Sequence, residues 1–532
     1  MIKFCCEYFD KKSKLVIYIL LTIILCIFSI LSPLIIGSII DILTIQKGYN
    51  ALTKHCIFFL SVQICNSIAQ YLSYKLYIML QTTAAYKLNK TLIKHLHMVN
   101  PKNIFDYNPS YLNERINTDS NTIVIFTLNL ISKTISSALT LIISLVILFQ
   151  LNNAFFFIAL ILCILYIAIY IIFKDKIFQM SLLFKENQSQ FFSVLLEQLQ
   201  NILFIKRHSL SSFFTNRLDK YFEKFFFNVL KTQKFSYIVS SIENILSYVA
   251  QFFVFVIAGM SVLHGDLSIG LFTISFTYYE YLLASISYFS NLSKSYQDSF
   301  SSYQRILEIL SLPESIDGNQ TLNNIEEIMC KAISFSYGSS HVINNFSYTF
   351  KKGNIYGIIG ENGAGKSTLI DIITGIYQGD YTGEIKYNGK NIKNLNMEYV
   401  RANNISIMEQ IPFFFKSTIE ENIFLNNNYN SQNLSDFLKN ANIKDFNDFI
   451  CLNRAHKDCT CLSGGEKQKT AYLRMLAKSS DVLILDEPTS SLDFDSKRTL
   501  INYVKYISSS KIIIVVTHDP DFIAQCTNLI KL

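Results

Sequence analysis

The sequence predicts a multi-domain membrane protein: an all-α domain of six transmembrane helices, followed by an α/β domain built around a phosphate-binding loop. Three observations carry this. Long apolar runs crowd the chain up to Tyr288 and then stop. A glycine-rich loop, Gly360 to Ser367, sits between a strand-like run and a helix-like one. Lys and Arg gather in two long connections and avoid the short turns. At 532 residues, half of them hydrophobic and only 16% charged, the chain is long enough for several domains, and the uneven spread of its apolar residues matters more than their total. A formal charge of +7 comes with no basic stripe or reader motif, so no nucleic-acid partner is expected.

A bilayer core of ~30 Å needs a helix of ~20 mostly apolar residues. Six segments fit, at 15–43, 55–80, 123–151, 154–173, 237–263 and 269–288. The first is too long for a signal-peptide core and reads as a retained helix. Helices three and four are joined by Asn152-Asn153, and helices five and six by His264-Gly265-Asp266. The long connections after helices two and four hold Lys87, Lys90, Lys94, Lys102, Arg115, then Lys174, Lys176, Lys206, Arg207 and Arg217. The positive-inside rule places both connections and both ends of the domain in the cytoplasm, and membrane lipid around the spans. The pattern also implies helices that continue far below the membrane before turning.

Lys133, Glu243 and Glu280 lie within spans, where ionisable groups are costly. They read either as a polar substrate path, for instance for a cationic group, or as an interhelical Lys–Glu pair or interfacial groups. The eleven cysteines are scattered, with no second pair at zinc spacing, and read as reduced packing residues.

Pro313 and Gly318 punctuate a polar linker at 311–327, dividing a membrane domain at 1–310 from a nucleotide-binding domain at 328–532. In the latter, apolar runs alternate with helical patterns, as in a mostly parallel sheet. "GENGAGKST" spans Gly360, Glu361, Asn362, Gly363, Ala364, Gly365, Lys366, Ser367 and Thr368. Its glycines let the backbone curl so that N–H groups face phosphates, Lys366 reaches the terminal phosphates, and the Ser367 hydroxyl ligates Mg²⁺. In "DVLILDEP", Val482–Leu485 reads as a buried strand, Asp486 as a Mg²⁺ ligand and Glu487 as the group that polarises the attacking water. "IIIVVTHDP" gives a third strand ending in His518, placed either to contact a γ-phosphate or to serve structure.

With the phosphate loop, a strand leading to Gln410, "LSGGE" (Leu462 to Glu466), "VLILDEP", "SSLD" (Ser490 to Asp493) and His518 in this order, the second half resembles the ATP-binding cassette (ABC) transporter superfamily from Ala332 to Leu532. The resemblance implies ATP and Mg²⁺ as cofactors, a helical subdomain in the cassette, Tyr337 as the aromatic stacked on adenine, Gln410 as a Mg²⁺-sensing ligand, Glu487 as the catalytic glutamate, His518 as the switch histidine, and Asp493 as the link between two sites. It implies that Ser463, Gly464 and Gly465 bind the γ-phosphate held by another cassette. The first half resembles the exporter branch. "SPLIIGSIIDIL" (Pro33, Gly37, Asp41) is similar to the end of that branch's first helix, and "FDYNPSYLNERINTDSNTI" to its first intracellular loop, with Arg115 and Asp119 in place but Tyr111 where a glycine is common. Short coupling helices are expected at Pro109–Arg115 and Glu197–Lys206.

One departure stands out. The acidic-basic-glycine element that precedes the signature in exporters is replaced by "AHKDCTC". With one cassette and six spans, the chain resembles a half-transporter that pairs with a second copy of itself or with a related half. ATP-driven export across the cytoplasmic membrane of a bacterium is the implied function, with N-terminus and cassette in the cytoplasm. A peptide or other secondary metabolite is the favoured cargo; lipid or drug export is the alternative, and a cargo-free membrane sensor the rival from another class. With the first span beginning at Leu15, no peptidase domain is expected ahead of it, and removal of any leader on a cargo peptide falls to another protein.

Overall fold

A computed structural model describes the chain except residues 10, 11, 47, 105, 106, 108, 316, 338, 339, 426–430, 441–461 and 491. Two compact units emerge, Met1–Lys94 with Pro109–Ser311, and His95–Asn108 with Leu312–Leu532.

The first unit is built from long helices, here α1 (Lys12–Asp41), α2 (Tyr49–Met98, whose last turn belongs to the second unit), α3 (Ser120–Leu151), α4 (Asn153–Gln200), α5 (Ser211–Leu263) and α6 (Ile269–Leu310). Asn152 ends α3 and caps α4, its side chain accepting from Ala154 N–H at 2.8 Å, so two polar residues suffice for the turn. At 1.5 Å per residue, α4 runs about 72 Å and α5 about 80 Å, more than twice a bilayer core. Their lower parts are zipped by Phe184 on Phe225 (5.9 Å between centroids) and Phe191 on Phe225 (5.5 Å).

Among the described residues, five helices are long and apolar enough to cross a membrane: α1 through α5. The sixth expected span, on α6, is as long but more polar. Its position explains this. Tyr278, Tyr279 and Leu282 of α6 are fully buried, together with Ser275 and Ser285, against a core that draws on α1, α3, α4 and α5. A helix surrounded by other helices does not face lipid, and it tolerates hydroxyls that find partners inside.

Asp41 at the end of α1 fastens the start of α6, accepting from Ser268 Oγ at 2.7 Å and Gly270 N–H at 2.8 Å. The two helices touch there: a Cβ on Gly270 would lie 2.2 Å from the Gly37 carbonyl oxygen and 2.5 Å from Asp41 Cγ. Gly270→Ala is therefore expected to cost about 1–3 kcal/mol through overpacking, read as a lowered midpoint of thermal unfolding in detergent. Gly259→Ala on α5, where a Cβ would meet nothing within 4 Å, is the matched control and should leave the midpoint in place.

The short helix Pro109–Glu114 forms in the connection between α2 and α3 and passes into a π-helical turn, Arg115–Asp119. Arg115 is buried, pairs with Glu308 at 2.6 Å and lies 3.9 Å above the Tyr111 ring. Tyr111, where the resemblance implied a glycine, thus supplies a cation–π face for that buried guanidinium. Asp119, buried as well, accepts from Arg305 Nε at 2.7 Å. In the second connection α4 continues to Gln200 and a separate short helix, Ile202–Arg207, follows after Asn201. Of Lys133, Glu243 and Glu280, none forms an ion pair among the described residues. Glu243 instead accepts from Ser290 Oγ at 3.1 Å.

The second unit holds two sheets. An antiparallel one has the order β2 (Ser340–Lys351), β1 (Glu327–Tyr337), β4 (Thr382–Tyr387), β5 (Lys390–Asn391). A parallel one has the order β6 (Ile405–Met408), β7 (Val482–Asp486), β8 (Ile512–Val516), β3 (Ile355–Ile359), β9 (Asn528–Lys531). β8 is buried along its whole length, as a central parallel strand covered on both faces must be. The helix Pro101–Ile104 belongs to this unit. The segment before it is tied down by His95 Nδ1 to Glu314 Oε1 (2.9 Å), Ser315 N–H to Met98 O (2.7 Å) and Asn100 Nδ2 to Asp380 Oδ2 (2.5 Å). The atypical "AHKDCTC" segment lies outside the described residues.

Candidate functional site

Parallel strands in register deliver the predicted residues to one sheet edge. Ile358 of β3 and Asp486 of β7 both pair with Val516 of β8. The phosphate loop after β3, Asp486-Glu487 at the end of β7 and Thr517-His518 after β8 therefore emerge side by side at the carboxyl ends, where open α/β sheets bind ligands.

In the loop, Gly363 and Gly365 take φ of 85° and 89°, backbone that side-chain-bearing residues avoid. Gly365 caps α7 (Lys366–Ile373), whose first N–H groups have no intrahelical partner and point into the loop. Glu361, Asn362 and Ser367 are exposed, while Ala364 and Thr368 are half-buried. Lys366 Nζ donates to the carbonyls of Gly360 (2.7 Å) and Glu361 (3.0 Å) and lies 3.2 Å from His518 Nε2. Ser367 Oγ donates to Asp486 Oδ2 at 3.0 Å.

Glu487 is the strained residue of the site. Its φ of 46° lies in the left-handed region, a conformation that costs a non-glycine residue about 1–3 kcal/mol. Its N–H donates to Val516 O at 2.9 Å, and its carboxylate comes to 3.8 Å from His518 Nε2. Burial pushes the Asp486 carboxyl up against the opposing pull of Ser367 and Lys366. Asp371, on α7, is pushed up to about 6 by burial, with Asp486 and Glu409 adding to it. These acids crowd a place that favours added positive charge.

Tyr337 ends β1, packs edge-on against Phe335 at 4.9 Å and donates its hydroxyl to Tyr377 at 2.9 Å. Gln410 is exposed two residues beyond β6, the strand beside β7. Asp493 caps α9 (Phe494–Ile507) and pairs with Lys469 Nζ at 2.8 Å, which holds its carboxyl well below the usual carboxylate range.

Ser463 caps α8 (Gly464–Ala477) in a capping box with Glu466. Ser463 and Gly464 are exposed, and a Cβ on Gly464 would meet nothing within 4 Å. No hydrogen bond among the described residues joins Ser463, Gly464 or Gly465 to the phosphate loop.

Three residues escaped sequence reasoning. Gln468 donates to the Glu487 carbonyl (3.3 Å) and to Ser490 Oγ (2.8 Å), Lys469 pairs with Asp493, and Tyr377 backs Tyr337. Each acts across a sequence separation that no local pattern encodes. The only cue was the polar run following the signature, on a helix face that turns inward.

A triphosphate fits this cradle: a curled run of amides, a lysine at its mouth, and a hydroxyl–carboxylate pair. Among the described residues no three His, Cys, Asp or Glu side chains converge on a metal position. Mg²⁺ would require none, since one carboxylate, one hydroxyl and the phosphates of a bound nucleotide would suffice to hold it.

A bundle of long apolar helices followed by a phosphate-loop cassette with an LSGGE segment defines the class of ATP-binding cassette transporters. Family models agree: "ABC transporter transmembrane region" matches residues 15–286 and "ABC transporter" matches residues 343–490. The chain belongs to the ABC transporter family and has the build of an exporter half-transporter. It is 31% identical over 250 residues to a probable ABC transporter ATP-binding/permease protein of Haemophilus influenzae, covering 45% of each chain. It is 24% identical over 537 residues to a microcin-J25 export ATP-binding/permease protein of Escherichia coli, covering 96% of this chain and 90% of that one. An ATP-dependent lipid A-core flippase of Francisella tularensis is 30% identical over 289 residues, covering 52% and 47%. The chain thus spans about half the length of the first and third of these relatives. In fold it is similar to a bacterial Atm1-family ABC exporter with ATP bound, at a TM-score of 0.81 and 17% identity, covering 98% of this chain and 93% of that one.

Proposed function

We propose that this chain is one half of a dimeric, ATP-driven exporter in the cytoplasmic membrane of a bacterium, with its cassette in the cytoplasm and a peptide or related secondary metabolite as cargo. The observation that carries the ATPase reading is the convergence of Lys366, Ser367, Asp486, Glu487 and His518 at one sheet edge. Lys366, the amides of the loop, Thr368 and Tyr337 bind the nucleotide. Ser367, Asp486 and Gln410 hold Mg²⁺, which supplies charge neutralisation at the phosphates. Glu487 orients and deprotonates the attacking water, and His518 contacts the γ-phosphate. Lys366→Ala is expected to weaken ATP binding about 10- to 100-fold, the worth of a charge-assisted hydrogen bond, in a fluorescent-nucleotide titration.

A second copy is the simplest partner. Gly464 has no packing reason inside this chain to be glycine, and a phosphate brought by another cassette supplies one. Beyond the bilayer, α4 and α5 leave Phe192, Phe213, Phe226 and Phe227 exposed, an apolar surface that an aqueous environment leaves for a partner wing to cover. The full-length similarity to a microcin exporter supports the peptide cargo. The deciding test is uptake of candidate peptides into inverted vesicles together with stimulation of ATP hydrolysis. Sustained hydrolysis with no transport of any cargo would favour the membrane-sensor reading.

A further inference from the structure

A group of polar side chains on α4, α5 and α6 surrounds Glu243. By helix rise, Glu243 lies about 30 Å from the Leu263 end of α5, and Ser290 about 32 Å from the Ile269 end of α6, both at the cytoplasmic side of the span. Glu243 is half-buried, and its Oε1 accepts from Ser290 Oγ at 3.1 Å. Tyr166 of α4 donates to the Glu243 carbonyl at 3.0 Å and sits 2.6 Å from Ser247 Oγ, so α4 braces the backbone that presents this carboxylate while α6, through Ser290, holds the carboxylate itself. Deeper in the bundle, Tyr279 is fully buried within electrostatic reach of Tyr166 and Cys163, and its hydroxyl has no partner. A line of hydroxyls thus leads from Glu243 toward the middle of the bundle.

The carboxylate lacks a cation. No Lys, Arg or His among the described residues pairs with Glu243. Lys75 on α2 and Lys133 on α3, the lysines within the expected spans, are exposed and form no ion pair among the described residues. Among the described residues Glu243 Oε2 makes no hydrogen bond. A carboxylate at membrane depth, held rigid by neighbours yet left without a counter-charge, is arranged to receive one from outside the chain.

We propose that Glu243 is the receptor for a cationic group on the cargo, an ammonium, guanidinium or quaternary centre carried on an apolar or aromatic body, and that Ser290 positions its carboxylate. This rests on the export reading and narrows its substrate class to cations. Tetraphenylphosphonium is a suitable probe because tetraphenylborate matches its size and shape with the opposite charge. The full-length protein in nanodiscs should bind tetraphenylphosphonium saturably by equilibrium dialysis without nucleotide, and tetraphenylborate should not compete. Glu243→Gln should weaken binding about tenfold or more, and Glu243→Asp should recover part of the loss. Ser290→Ala, a smaller change that keeps the charge, should weaken it severalfold and covers the case in which Glu243→Gln fails to fold. Equal binding by the wild type and by folded Glu243→Gln, or equal binding of the anion, would overturn the proposal. Binding and hydrolysis fail separately. Protein that hydrolyses ATP but binds no tetraphenylphosphonium refutes the cation site, and protein that binds it but has no ATPase activity refutes the exporter.

Discussion

Glu487→Gln is expected to bind ATP as tightly as the wild type and to hydrolyse it at least about a hundredfold more slowly, since a positioned general base contributes 10²–10⁴-fold. The substitution is nearly isosteric and leaves the cradle untouched. Lys366, Ser367 and Asp486 keep their mutual contacts, none of which involves the Glu487 side chain. The left-handed backbone at Glu487 is held from both sides, by Val516 O accepting its N–H and by Gln468 Nε2 donating to its carbonyl. Glutamine therefore stands where the carboxylate stood, 3.8 Å from His518 Nε2, but cannot take a proton from water. The check is phosphate release under saturating ATP beside nucleotide retention on a filter. Retained ATP with lost turnover is the expected pair, and turnover near that of the wild type would remove Glu487 from the reaction.

The candidate nucleotide site could be located in the sequence because the chemistry proposed for it depends on contiguous backbone. A phosphate loop needs glycines and a lysine within a few residues, and "DVLILDEP" writes a buried strand and its carboxylates in one stretch. The fold class was legible for the same reason, since apolar runs and strand–helix alternation are local patterns. What stayed hidden is long-range. Nothing near Asp41 announces that Gly270, more than two hundred residues away, presents its N–H to that carboxylate. Nothing near Arg115 announces that Glu308, almost two hundred residues further on, pairs with that guanidinium. The composition of α6 shows the opposite limit. Its hydroxyl-rich sequence carries a weaker apolar signal than its neighbours because it sits among helices and not among lipids, a fact about packing that precedes any statement about function.

The signature segment allows the sharpest test of the dimer. Ser463→Arg places a bulky cation where a γ-phosphate from another cassette would be received, but it also deletes the N-cap of α8, and losing such a cap costs about 1 kcal/mol by itself. Gly464→Arg separates the two effects. Gly464 is exposed at the first turn, a Cβ there meets nothing within 4 Å, and the capping box between Ser463 and Glu466 does not use its side chain. The variant should therefore fold with an unchanged melting temperature and bind ATP at its own phosphate loop, while the new side chain takes the place of the γ-phosphate contact at the one site this signature joins and hydrolysis there falls at least about a hundredfold, the scale of losing one preorganised transition-state contact. Mixing then identifies whose site is broken. In a mixed dimer of Lys366→Ala and Gly464→Arg chains, one site pairs the intact phosphate loop of the second chain with the intact signature of the first, and the other site carries both lesions. If each site is shared between chains, the mixture hydrolyses ATP when neither parent does. If each chain used its own signature, both sites in the mixture would remain broken and no activity would return, so recovery in the mixture, or its absence, decides whether the unit of function is the chain or the pair.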